Sequence, residues 1–239
     1  IRIYLKTPRL RGLLALTLAA AAASAMVIVN TVVIVRDILG LPQRDVAFAL
    51  AAYGAGSMLA ALALPRLLDR VGDRSIMIAA AALLGLALAG LTLITRGMNG
   101  PQLWTFILAG CFVLGAAYSI AVTPTVRLLR RSATPVDRPT LFAAQFALSH
   151  GCWLVAYPLA GWLGAQAGQT SAFAGMAAMA ILGTLLAAWL WPGHDPEAVP
   201  HRHDDLPADH PHLREAHRHG EPAHDFVIDD LHPQWPGRP

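Results

Sequence analysis

One histidine lies inside the apolar part of this 239-residue chain. His150 belongs to a stretch, residues 139–193, that contains no Asp, Glu, Lys or Arg. Histidine exchanges protons near neutral pH and binds metals as the neutral imidazole. Because an ionisable group in such a segment is costly, it marks a candidate functional position. His150 is therefore a candidate for proton coupling or ligand contact. The alternative is a neutral side chain bonded to a nearby carbonyl.

The other nine histidines all follow residue 191, and six of them form three His-Xaa-His units. These six are His201, His203, His210, His212, His217 and His219. Imidazole and nearby carboxylates suit Ni, Co and Zn, but the spacing matches no fixed tetrahedral site. The pattern predicts flexible binding of Ni, Co or Zn by this tail, with no cofactor required. The alternative is a solubilising, weakly pH-sensitive tail.

Uncharged polar residues are distributed unevenly over the apolar segments. Polar side chains in such segments tend to face a bundle interior or a watery cavity. The side chains expected to line a shared cavity are those of Asn30, Tyr53, Tyr118, Gln145 and His150. The alternative for any single Ser or Thr is a hydrogen bond to its own helix.

Six apolar stretches must position these residues. They cover residues 12–35, 46–64, 75–94, 103–125, 141–164 and 170–191. About 20 helical residues cross the roughly 30 Å hydrocarbon core of a bilayer, and helices satisfy their own backbone there. The sequence thus predicts an all-α membrane protein with six transmembrane helices in residues 1–191. The third and sixth stretches are nearly free of polar residues and are expected to face lipid.

Composition supports a membrane protein with an aqueous tail. Only 14% of residues are charged, against about 25% in soluble domains. Ten of the fifteen acidic residues follow residue 191. Residues 192–239 lack apolar periodicity and are predicted to form a disordered, cytoplasmic, His- and Asp-rich tail.

Basic residues predict the orientation. Fifteen of the eighteen Lys and Arg lie in the termini and alternate loops, and Arg36, Arg44 and Arg96 lie on the opposite side. The positive-inside rule places both ends of the chain in the cytoplasm of a bacterial-type inner membrane. The basic balance therefore indicates a lipid bilayer as partner, and no nucleic acid.

The loop between the second and third stretches carries a specific motif. It contains Asp69, Arg70, Gly72 and Arg74. These residues resemble the cytoplasmic signature loop of the major facilitator superfamily, although Pro65 replaces its leading Gly and Asp73 replaces a basic residue. From charge alone, Asp69 is a candidate salt-bridge latch to an Arg or a helix end of a neighbouring segment, with a tight turn at Gly72. The alternative is a solvated, positive-inside loop.

The resemblance implies one half of a twelve-helix bundle. The family has two six-helix repeats, and residues 1–191 resemble the C-terminal repeat, so a missing N-terminal half is an expected partner. The chain begins at Ile1, which also suggests a longer protein. The resemblance implies a secondary active transporter rather than an enzyme. We expect an exporter of a small solute, drug or divalent metal (Ni or Co) that works by alternating access. The His-rich tail is similar to those of nickel-resistance exporters.

Two alternatives come from other classes of protein. One is a metal-binding or metal-sensing membrane module whose helices only anchor the tail. The other is an intramembrane serine hydrolase that uses Ser57 and His150. The sequence contains no Walker-type loop that would support ATP hydrolysis.

Overall fold

The computed structural model describes residues 1–98, 100–193, 198–200, 223–225, 227–228 and 235. The helices, in chain order, are α1 (Arg2–Lys6), α2 (Pro8–Val33), α3 (Gln43–Leu68), α4 (Asp73–Gly97), α5 (Pro101–Val122), α6 (Thr125–Arg130) and α7 (Arg138–Leu190). A π-helical turn, Ile34–Ile38, extends α2.

Two short strands lie in the tail, where the sequence predicts no regular structure. Strands β1 (Ala198–Pro200) and β2 (Ala223–Asp225) pair antiparallel, with Ala198 opposite Asp225. The six histidines of the His-Xaa-His units lie outside the described residues, so the predicted metal binding by the tail stays a prediction.

Proline marks the start of several helices. Pro8 and Pro101 occupy the first turns of α2 and α5, and Pro42 directly precedes α3. Proline suits these positions because the first helical N–H groups have no partner within the helix. These starts extend the spans predicted from hydropathy by several residues towards the N-terminus.

The described residues form five candidate membrane spans by length and composition. They are Pro8–Ile38, Gln43–Leu68, Asp73–Gly97, Pro101–Arg130 and Arg138–Leu190. Each of the first four predicted stretches lies within one of them. The number is five instead of six because the last two predicted stretches belong to one 53-residue helix, α7.

The helix α7 bends back on itself at Gly168. This residue has φ 80° and ψ 167°, a conformation open almost only to glycine. A Cβ on Gly175 would meet the Leu163 side chain, so residues on either side of Gly168 face each other. We call residues 138–167 the first arm of α7 and residues 169–190 its second arm.

Contacts with α2 show that the two arms run in opposite directions. In the first arm, Gln145 bonds to Tyr4 and Ala160 bonds to Asn30, so this arm is parallel to α2. In the second arm, Gly183 packs beside Ala15 and Ala19 of α2. Trp191, just after that arm, packs against Gly12. The second arm is therefore antiparallel to α2.

The core of the bundle is centred on α2. Ala19, Ala20, Ala21, Ala22 and Ala23 are all almost fully buried. Small side chains let neighbouring helices approach closely, which explains how one helix can contact α3, α4, α5 and both arms of α7. In contrast, much of α3 and of the first arm is exposed in this chain.

Candidate functional site

Four segments bring a group of tyrosines together in the middle of the bundle. The rings of Tyr53 on α3 and Tyr118 on α5 are 6.0 Å apart at their centroids, with a tilt of 49°. Ser24 of α2 and Tyr157 of the first arm also lie within electrostatic range of the Tyr53 side chain. The structure thus brings together Tyr53 and Tyr118, two of the residues predicted from the sequence. We call Tyr53, Tyr118, Tyr157 and Ser24 the tyrosine cluster.

Two glycines allow the helices of this cluster to approach. A Cβ on Gly115 would overlap the backbone carbonyl of Tyr53, and one on Gly56 would overlap that of Phe112. Backbone atoms cannot move aside as a flexible side chain can, so α3 and α5 require glycine at both places. This close crossing positions the two tyrosine rings.

An aromatic stripe runs along the first arm and includes His150. Its members are Phe146, His150, Trp153 and Tyr157. Consecutive ring centroids are 4.0, 5.4 and 6.2 Å apart. Residues three or four apart share one helix face, so the stripe follows from the sequence spacing. Tyr157 belongs to both groups, and the stripe therefore leads from His150 to the tyrosine cluster.

His150 is exposed on this chain and bonded to its own helix. Its Nδ1 lies 2.8 Å from the carbonyl oxygen of Phe146. A carbonyl only accepts, so this contact assigns a proton to Nδ1 and leaves Nε2 for exchange of a second proton or for a ligand. The alternative, a histidine bonded to a nearby carbonyl, therefore applies to Nδ1. It does not engage Nε2, which can still bind a proton or a ligand.

Trp153 has a buried polar atom with no partner within the described chain. Its indole Nε1 makes no hydrogen bond there, and its ring lies between those of His150 and Tyr157. Leaving a buried donor unpaired costs about 1–3 kcal/mol. The stripe therefore contains one buried donor that has no acceptor within the described chain.

Asn30 and Gln145 make contacts between helices. Asn30 is 2% exposed and donates from Nδ2 to the carbonyl of Ala160, 3.2 Å away. Gln145 accepts a hydrogen bond from the hydroxyl of Tyr4, whose pKa is raised by burial. Both amides hold the first arm beside the N-terminal helices. The structure does not place Asn30 on the exposed face with His150.

The predicted signature loop lies at the end of the bundle that we call the arginine-rich end. Arg74 donates from Nε to the carbonyl of Trp191 (2.9 Å) and from Nη2 to that of Ala188 (3.1 Å). It therefore caps the C-terminal end of the second arm, where the helix dipole favours a cation. Gly72 is extended (φ −64°, ψ 150°) and directly precedes α4.

The latch in this loop is Asp73, and the expectation for Asp69 is wrong. Asp73 is buried and accepts two hydrogen bonds from Arg127, one of them from Nε at 2.9 Å. Asp69 and Arg70 are exposed, and Asp69 has no ion pair within the described residues. The sequence contained one sign of this ion pair, because Asp73 stands where the family motif has a basic residue. An acid at that position faces the basic segment that includes Arg127.

The described residues contain no group of three or more His, Cys, Asp or Glu that could hold a metal ion. The two free cysteines, Cys111 and Cys152, lie on different helices. Ser57 and His150 share no hydrogen bond, since the His150 contact that the structure shows is with the Phe146 carbonyl. The geometry therefore gives no support to the serine hydrolase alternative.

The five long apolar helices among the described residues define the chain as a multi-pass membrane protein. The family model of the Major Facilitator Superfamily matches residues 13–222, and the chain belongs to this family. The protein is thus a transporter of the major facilitator type. Comparisons with curated proteins and with solved structures gave no match.

Proposed function

We propose that this chain forms the C-terminal six-helix half of a secondary transporter that exports a small organic solute by alternating access. The observation that carries the proposal is the aromatic stripe from Phe146 to Tyr157, which is joined to the tyrosine cluster. In transporters of this design, substrates bind near the midplane between two repeats. An N-terminal half would cover the exposed His150 face and complete the site.

Six membrane crossings fit the reversal at Gly168. A straight 53-residue helix would measure about 80 Å, more than twice the hydrocarbon thickness of a bilayer. Two antiparallel arms of about 45 and 33 Å would each cross once. Together with α2, α3, α4 and α5, they form six crossings. Both termini and the arginine-rich end then lie in the cytoplasm of an inner membrane.

The lining residues favour a solute with an aromatic or apolar body and a hydrogen-bond acceptor. Aromatic rings provide broad contact surfaces and attract cationic groups. Trp153 supplies a donor through Nε1, and Nε2 of His150 supplies an exchangeable proton position. In this proposal, His150 couples export to proton movement or contacts the solute directly.

A substitution pair tests this role of His150. Cells producing the protein are loaded with amphiphilic fluorescent dyes, cationic or neutral, and dye efflux is compared between wild type, His150→Ala and Ser149→Ala. Ser149 is the matched control, because its hydroxyl also bonds to the Phe146 carbonyl. We expect at least a tenfold slower efflux for His150→Ala alone. Equal efflux in wild-type cells and in cells without the protein, for every dye, would exclude these solutes.

Divalent metal export is a second candidate, because the tail contains three His-Xaa-His units. The same cells can be exposed to Ni, Co or Zn and their metal content measured. Metal export predicts lower accumulation in wild-type cells than in cells without the protein, and higher accumulation after His150→Ala. Equal accumulation in all three would rule it out. If deletion of residues 194–239 abolished function, the metal-sensing module would be favoured instead.

A further inference from the structure

The arginine-rich end of the bundle contains a cavity of about 780 Å³. Arginines from α2, α6, the segment after α6 and the first arm line it. They are Arg9, Arg127, Arg130, Arg131 and Arg138. Leu68 of α3 and residues around Pro124 complete the wall. We call this cavity the arginine vestibule.

The tail of the chain returns to this vestibule. Val227 is part of the cavity wall, and Ile228 is 4% exposed. The ring of Trp235 lies over the Arg9 guanidinium, with 4.9 Å between Cζ and the ring centroid. The pairing of β1 with β2 ends at Asp225, two residues before Val227. Val227 and Trp235 thus contact this basic surface, and the neighbouring Ile228 is buried.

The tail and the arginine vestibule are complementary in charge and in hydrophobicity. Residues 192–239 contain ten acidic residues and four arginines, and Asp225, Asp229 and Asp230 flank Val227 and Ile228 in sequence. Opposite charges orient an interface and hold its register. Val227 and Ile228 provide apolar burial, and Trp235 provides a cation–π contact. The tail therefore has both charge complementarity and apolar anchors.

We propose that the arginine vestibule is a docking surface for the chain's own acidic C-terminal segment, anchored by Val227, Ile228 and Trp235. The occupant is this segment in cis, and the docking does not depend on the transporter function proposed above.

Cross-linking in the full chain tests docking without any transported solute. In a background with Cys111→Ala and Cys152→Ala, Val227→Cys is paired with Pro135→Cys, which replaces another wall residue. A short bifunctional maleimide should join residues 227 and 135 with at least tenfold higher yield than it joins Val227→Cys with Arg96→Cys. Arg96 is exposed and ends α4 at the opposite end of the bundle. Equal yields in the two pairs would overturn docking.

Charge reversal tests the basic surface. Arg130→Glu with Arg138→Glu should lower the 227–135 yield severalfold, as should high salt, which screens exposed charges. Arg66→Glu with Arg70→Glu is the matched control, because both are exposed near the same end but line no part of the vestibule. The same loss of yield in both double variants would overturn the assignment to this surface.

Trp235→Ala tests the aromatic anchor, because it removes the ring that lies over the Arg9 guanidinium. We expect it to lower the 227–135 cross-link yield severalfold in the full chain. An unchanged yield would overturn the role of Trp235 as an anchor.

Discussion

Asp73 at the start of α4 and Arg127 on α6 form a two-pronged ion pair across the arginine-rich end of the bundle. The pair ties together two segments that are 54 positions apart in sequence. Its carboxylate is buried, whereas just over half of the Arg127 side chain is exposed. This asymmetry means that loss of the arginine would leave a buried charge, while loss of the carboxylate would remove one ion pair from an arginine that water already reaches.

Asp73→Asn should reduce the free energy of unfolding by about 1–2 kcal/mol, because charge-assisted hydrogen bonds are lost at a partly exposed pair. Thermal unfolding in detergent measures the effect. The control is Asp69→Asn at an exposed position, with an expected change within about 0.5 kcal/mol. Arg127→Ala should be at least as destabilising as Asp73→Asn. A larger effect at Asp69 than at Asp73 would contradict the assigned latch.

Arg74→Ala should destabilise the protein by about 1–2 kcal/mol, because it removes two hydrogen bonds from a cation to carbonyls at the end of the second arm. Arg70→Ala changes the neighbouring motif arginine, which is exposed, and should have little effect on the thermal midpoint. Limited proteolysis near residue 191 should be faster only in Arg74→Ala. Equal proteolysis in both variants would disprove the capping role.

Gly115→Ala should lower the yield of folded protein strongly, because the new methyl group would overlap the Tyr53 backbone. Forcing volume into a packed interior costs about 1–3 kcal/mol or more. Gly54→Ala is the control on α3, since a Cβ there meets nothing within 4 Å. Size-exclusion profiles of the detergent-extracted variants measure the yield. A normal profile for Gly115→Ala would show that α3 and α5 can separate.

Trp153→Phe should keep the aromatic stripe but remove the Nε1 donor. We expect unchanged or slightly higher thermal stability, because the substitution removes an unpaired buried donor. We also expect a KM about two- to tenfold higher for a solute with an acceptor atom, because that atom loses its hydrogen-bond donor. Trp162→Phe on the exposed part of the same arm is the control. An unchanged KM in Trp153→Phe would show that Nε1 does not donate to the solute. A large loss of stability would show that Nε1 supports the fold.

The reversal at Gly168 can be tested by labelling with a membrane-impermeant maleimide. Single cysteines from Ala167→Cys and Arg96→Cys should react from outside intact cells, and that from Arg70→Cys should react only after the membrane is opened. All three positions are exposed on this chain. Labelling of Ala167→Cys only after opening would mean that the two arms do not cross the membrane separately.

The long apolar stretches by themselves determined the helical membrane fold, because hydrocarbon leaves a chain few other ways to satisfy its backbone. The loop residues Asp69, Arg70, Gly72 and Arg74 indicated the family to which the chain belongs. The spacing of Phe146, His150, Trp153 and Tyr157 placed them on one face, since helical periodicity is local.

Tertiary structure alone decided which polar residues meet. Hydropathy could not separate Asn30, which is buried against Ala160, from His150, which is exposed. Nor could it select Asp73 over Asp69 as the partner of Arg127, because the selection depends on which carboxylate the turn before α4 directs inward. The return of Trp235 to Arg9 joins residues 226 positions apart. Such pairings depend on how helices and tail pack together, which no local pattern encodes.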